Sequence, residues 1–155
     1  MRLALFSMLG PGGAEGRRVL DLYAGTGAFG LEALSRGAAW AEFVERDEKA
    51  CRAIRAALAD LGFGERGVVH RGAAAAVVRR LEADFDLVFA DPPYDDDPFA
   101  EVFGLLVESG RLVPGARVIA EHSKRRVLPE ALPGLRQIDR RLYGDTAVTV
   151  YRFEG

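Results

Sequence analysis

A single cysteine, Cys51, stands in 155 residues. No internal disulfide is therefore available, and stability must come from burial rather than cross-links. No apolar run approaches the roughly 18 residues that a membrane span requires. The opening MRLALFSMLG lacks a cleavage-site pattern and is too short for a secretory signal. Neither sign of charge is in excess: the formal net charge is −2. The chain as a whole is thus no electrostatic trap for nucleic acid, and any such binding must use a local patch. There is no internal repeat, no composition break that marks a second domain, and no metal site is expected. What remains is an ordinary soluble mix, 49% apolar and 28% charged, long enough for one domain with its own core. A cytoplasmic setting is the default expectation.

The chain is organised around Val19 to Gly30, VLDLYAGTGAFG. An apolar run breaks at Ala24-Gly25, and a helical pattern resumes after Gly30. Strand, glycine turn and helix start lie in one piece. Gly25 and Gly27 lack Cβ atoms, so a ligand can approach the backbone closely there. Gly30 lets the helix sit tightly on the sheet.

The rest of the chain repeats this alternation. Met1 to Leu9 reads as a short helix that docks through Leu5, Met8 and Leu9. Strands are expected at Arg18 to Tyr23, Ala41 to Glu45, Val68 to His70, Asp86 to Ala90 and Arg117 to Glu121. Helices are expected from Leu31 to Arg36 with Gly37 as the stop, after an Asp47 N-cap through Leu61, from Ala73 to Leu81, and from Pro98 to about Glu108. Residues 123 to 134 read as loop. Leu135 to Tyr143 and Ala147 to Phe153 are extended and too closely joined to run any way but antiparallel. The sum is an α/β three-layer sandwich.

Gly25-x-Gly27-x-x-Gly30 fits a dinucleotide fingerprint, and Glu45, ending the second strand, suits a ribose. A nicotinamide-binding fold is therefore a rival reading. Asp21 speaks against it, because a carboxylate beside this turn favours the ammonium of an amino-acid cofactor over a pyrophosphate. The stretch Asp91-Pro92-Pro93-Tyr94 also speaks against it, since hydride chemistry has no use for it. The prolines stiffen the backbone and remove two donors. The Asp91 carboxylate and the Pro92 carbonyl remain as acceptors, a match for an exocyclic NH2 group. Tyr94 offers a face on which a planar base can stack. A base so held must be unpaired or flipped out.

D-x-x-A-G-x-G, an acid ending strand two and D-P-P-Y ending strand four resemble the class I S-adenosylmethionine-dependent methyltransferases. The resemblance implies a Rossmann-like, mostly parallel seven-stranded sheet whose last strand is antiparallel. It implies that Asp21, Tyr23, Ala24, Gly25 and Gly27 hold the methionine end of S-adenosylmethionine, that Glu45 binds the ribose, and that Arg46 flanks the adenine. Many relatives carry an acid or amide after strand three. Here the stretch is Arg71-Gly72-Ala73-Ala74, so adenine falls to backbone groups and apolar contact around Ala73.

A closer resemblance covers nearly the whole chain. ALFSML, VLDLYAGTGAFGLEALSRGA, FVERD, DFDLVFADPPY, EHSK and RLYGDTAVTVYRF, in that order, are similar to the RsmD family. The resemblance implies methyl transfer to guanine N2 in 16S ribosomal RNA, within a small-subunit particle. Asp91, Pro92 and Tyr94 would then be catalytic, with Asp91 also binding the cofactor, and Pro93, Tyr94, Lys124 and Arg125 would meet the RNA. Adenine N6 methylation and a non-catalytic nucleotide-binding module are the alternatives. Family members usually begin earlier, with a basic segment ahead of the first helix. The whole chain is expected to be a single domain lacking that segment.

Other residues have plainer readings. Cys51 is core, and His70 is structural. His122 reads as a loop histidine with local hydrogen bonds. Lys124-Arg125-Arg126, Arg140 and Arg141 suit either phosphates or water. Asp95-Asp96-Asp97 reads as a mobile acidic loop.

Overall fold

The computed structural model describes residues 2–93 and 96–155. Eight strands form a single sheet: β1 (Arg18–Leu22), β2 (Trp40–Glu45), β3 (Gly67–Arg71), β4 (Phe85–Ala90), β5 (Leu112–Ser123), β6 (Ala131–Leu132), β7 (Leu135–Tyr143) and β8 (Thr146–Phe153). Their order is β3-β2-β1-β4-β5-β8-β7-β6. Strands β1 to β5 are mutually parallel, and β8 runs antiparallel to β5 and to β7.

The two faces of the sheet carry different helices. Leu5 and Phe6 of α1 (Arg2–Leu9), Phe29 and Leu34 of α2 (Ala28–Ser35), and Ile54 and Leu58 of α3 (Glu48–Asp60) cover one face. Val77 of α4 (Ala74–Val78) and Phe103 and Leu106 of α5 (Phe99–Ser109) cover the other. Hence β1 and β4 are apolar on both faces, as central parallel strands must be. The first helix docks by an aromatic ladder. Phe6 stacks on Phe29 at 5.1 Å between ring centroids, and Phe29 stacks on Phe89 of β4 at 4.4 Å. Among the described residues no helix is long and apolar enough to cross a membrane.

Several expected boundaries are corrected. The sheet has eight strands rather than seven. The extra one, β6, lies inside the stretch read as loop and exists only through its pairing with β7. The fifth strand starts at Leu112 rather than Arg117. Pro114 and Gly115 look like turn residues, but Gly115 sits at φ 81 within an irregularity that lets pairing with β4 continue on both sides. Helix α4 ends at Val78 rather than Leu81. Alanine propensity would extend it, but the chain must bury Leu81 and enter β4.

Candidate active site

The strand order reverses between β1 and β4. Chains leave β1 towards β2 and β3, and leave β4 towards β5, so a crevice opens beyond their carboxyl ends. The register sets what stands there. Leu22 is level with Val44 and with Ala90, Glu45 with Arg71, and Ala90 with Ala120. One row of side chains therefore crosses the edge: Arg71, Glu45, Tyr23, Asp91 and Glu121. A cavity of about 420 Å³ opens along this row.

The turn that follows β1 reaches the cavity through Tyr23. Tyr23 adopts φ 57, the one non-glycine residue in the left-handed region among those described. That conformation costs a bulky residue energy and persists only where the surroundings impose it. Here the Ala24 amide donates to the Val44 carbonyl at 3.0 Å, fixing the turn on β2. Gly25 follows at φ 57, and a Cβ there would meet nothing within 4 Å, so the space above this amide is open. Gly27 stands at φ 76 with Ile54 close behind. The cradle is thus open above and packed below.

Two acids hold the cradle. The Gly25 amide donates to Glu45 Oε1 at 2.9 Å, and the Asp47 amide donates to Oε2 of the same carboxylate at 2.8 Å. Asp47 in turn caps α3 by accepting from the Ala50 amide. Asp21 lies underneath, 2% exposed, and accepts from the Gly30 amide at 3.0 Å. Burial pushes its carboxyl up to about 8, against the pull of the Gly30 bond and with a further push from the Asp91 and Glu45 charges. Asp21 therefore supports the turn from below and does not line the cavity.

On the far wall, Asp91 and Pro93 are exposed and Pro92 is buried, all three at the cavity. Arg46, Gly72 and Ala74 complete the rim beyond Glu45. Ala73 is exposed and precedes α4 as its N-cap, with extended backbone, and leaves the lining to its two neighbours. Tyr94 lies outside the described residues, as does Asp95.

The family model described as conserved hypothetical protein 95 matches residues 1–152. Ribosomal RNA small subunit methyltransferase D of Escherichia coli (strain K12) is 31% identical over 154 residues, covering 99% of this chain and 77% of that protein. The chain belongs to the RsmD family of methyltransferases. YlbH of Bacillus subtilis (strain 168), provisionally named an rRNA methyltransferase, is 34% identical over 155 residues, 98% of this chain and 84% of its own. A solved structure from Streptococcus pyogenes, described only as a conserved hypothetical protein, superposes with a TM-score of 0.91 at 34% identity. It covers 100% of this chain and 96% of that one.

The RsmD-family chain carries a basic turn on the β5 side of the crevice. Lys124 and Arg125 form the turn after β5, and both are exposed. Lys124 Nζ pairs with Asp145 of the β7–β8 turn at 3.2 Å, and the Arg125 amide donates to Ser123 Oγ. Arg126 pairs with Asp97 at 2.9 Å. Asp97 is thus tied to the basic turn, where a freely swinging acidic loop was expected. His122 is no loop residue: it lies in β5, 4% exposed. Its Nε2 shares a hydrogen bond with Thr149 Oγ1 at 2.8 Å and its Nδ1 one with the Ser123 carbonyl at 2.9 Å, and Phe99 stands edge-on. Burial lowers its basicity.

Sequence reasoning assigned no role to Glu121, although the residue closes an apolar strand at the same edge as Asp91. That position, one residue past the strand's last buried alanine, was the available signal.

Proposed function

We propose that this chain methylates the exocyclic N2 of a guanine in 16S ribosomal RNA, in the cytoplasm and on a small-subunit particle, with S-adenosylmethionine as donor. One observation carries the reading. The acceptor-only corner of Asp91 and Pro92 opens on the same cavity as Glu45 and as Tyr23, which leads into the glycine turn. Family membership supports it, as does the name of the Escherichia coli relative.

The cradle suits the donor. The open space over Gly25 admits a ligand onto the backbone, and the acids Glu45 and Asp91 at the cavity suit a cation. Tyr23, Ala24, Gly25 and Gly27 would form the methionine end over the supporting Asp21, Glu45 the ribose site, and Arg46, Gly72 and Ala74 the adenine rim. When bound, S-adenosylmethionine supplies a methyl group on a positively charged sulfur. The Asp91 carboxylate and the Pro92 carbonyl accept the two hydrogens of the amine. This orients its lone pair, an effect worth several kcal/mol without a strong base. The amine that gains the methyl group sheds one proton, and Asp91 is the acceptor already bonded to it. Pro93 and Tyr94 would support the base. Lys124 and Arg125 would hold phosphates, Lys124 exchanging Asp145 for RNA.

Asp91→Ala tests the assignment. It should bind S-adenosylhomocysteine within about threefold of the parent while transfer falls by roughly 100-fold or more. Unimpaired turnover on small-subunit particles would overturn the role of Asp91. Nucleoside mass spectrometry of the product should show N2-methylguanosine, and N6-methyladenosine instead would move the substrate to adenine.

A further inference from the structure

Glu121 follows Ala120, the register partner of Ala90, so Glu121 and Asp91 leave adjacent parallel strands side by side. Their carboxyl groups are placed to hydrogen-bond to each other. Two carboxyls can do this only if one keeps its proton, because an ionised carboxylate is acceptor-only. The direction of the bond is set by the surroundings. Burial and the Asp91 carboxyl push Glu121 up to about 7, and burial raises Asp91 as well. Asp91 lines the cavity and Glu121 does not, so Asp91 is the one that must stay an acceptor for substrate and Glu121 the donor behind it. On its other side Glu121 is level with Val148 of β8, an apolar neighbour. On the far side of Asp91, the buried Asp21 of β1 feels the Asp91 charge.

The double proline leaves one freedom open. Pro92 and Pro93 stiffen the backbone after Asp91, but they do not fix the rotation of its carboxylate, a broad torsion in any aspartate. A single hydrogen bond to one oxygen does fix it.

We propose that Glu121 is a positioning residue for methyl transfer: its carboxyl proton holds one oxygen of Asp91 and leaves the other aimed at the substrate amine. This rests on the role given to Asp91 above. It predicts that the amide of glutamine, which also donates, can stand in for the carboxyl, and that alanine cannot.

The first measurement needs neither donor nor RNA. In a carboxyl 13C NMR titration of the cofactor-free protein, Glu121 should titrate near 7, and Asp91→Asn should lower that midpoint by about one unit or more. An unchanged midpoint overturns the pairing. In turnover assays, Glu121→Ala should lower kcat by about tenfold or more with S-adenosylhomocysteine affinity unchanged, and Glu121→Gln should recover to within about threefold. The parent's kcat/KM should fall above pH 7, where the donor proton is lost, and this limb should vanish in Glu121→Gln. Parental turnover in Glu121→Ala, or equal loss in both variants, overturns the proposal. If the parent itself transfers no methyl group, the functional reading fails while the titration still decides the pair.

Discussion

Asp21 keeps a carboxyl where water does not reach, and this has a consequence for stability. The unfolded chain releases that proton near the ordinary carboxylate value, whereas the folded protein holds it up to about 8. Between those limits folding takes up a proton. Stability therefore declines as pH rises from about 4 to 8, by up to about 1.4 kcal/mol per unit. Asp21→Asn keeps an oxygen for the Gly30 amide and removes the ionisation. Its Tm should exceed the parent's at pH 8, and the gap should close as pH falls towards 4, which calorimetry across that range can measure. A gap that stayed constant would show that burial of this charge is not what the fold opposes. Tyr23 is the other costly residue at the crevice. Its left-handed backbone is invisible in the letters D-L-Y-A-G, which read equally well as a strand running through it. The structure places the bend one residue earlier than the apolar pattern does.

At the level of helices and strands, the α2–β2 contact shows why one glycine cannot be replaced. A Cβ on Gly30 would stand 2.4 Å from Cε2 of the Phe43 ring, itself fully buried. Gly30→Ala would gain up to about 1 kcal/mol in helix propensity and lose about 1–3 kcal/mol to overpacking. The expected result is a net loss, seen as a lower urea midpoint at unchanged m-value. This contact was foreseeable, because a helix that starts within a glycine turn must lie close to its sheet. So were the Asp47 cap and strands β1, β2 and β4, whose apolar runs have no competing signal. The ends of β5 were hidden because Pro114 and Gly115 imitate a turn. The short α4 was hidden because alanine helicity says nothing of where a chain must go next. The two-residue β6 has no local signature at all, since it is made entirely by its partner.

Over the whole molecule, the sheet order brings distant segments to one edge, and there sequence reading succeeds for residues and fails for relations. Asp91, Glu45 and the glycines stand out from their neighbours along the chain. The pairing of Asp91 with Glu121 and the tie between Arg126 and Asp97 do not, because each joins residues about thirty apart that only the fold brings together. His122 was misplaced for the same reason: its Thr149 partner comes from β8. The flanks of the sheet also matter. On one side the last member is β6, with two residues. On the other, β3 has the Val69 carbonyl taken up by Arg55 at 3.3 Å. Short or guanidinium-capped borders give another chain little to align with. Concentrated, agitated samples should accordingly remain clear and raise no thioflavin fluorescence, whereas a mutant that lengthened β6 into a full apolar strand would seed fibrils.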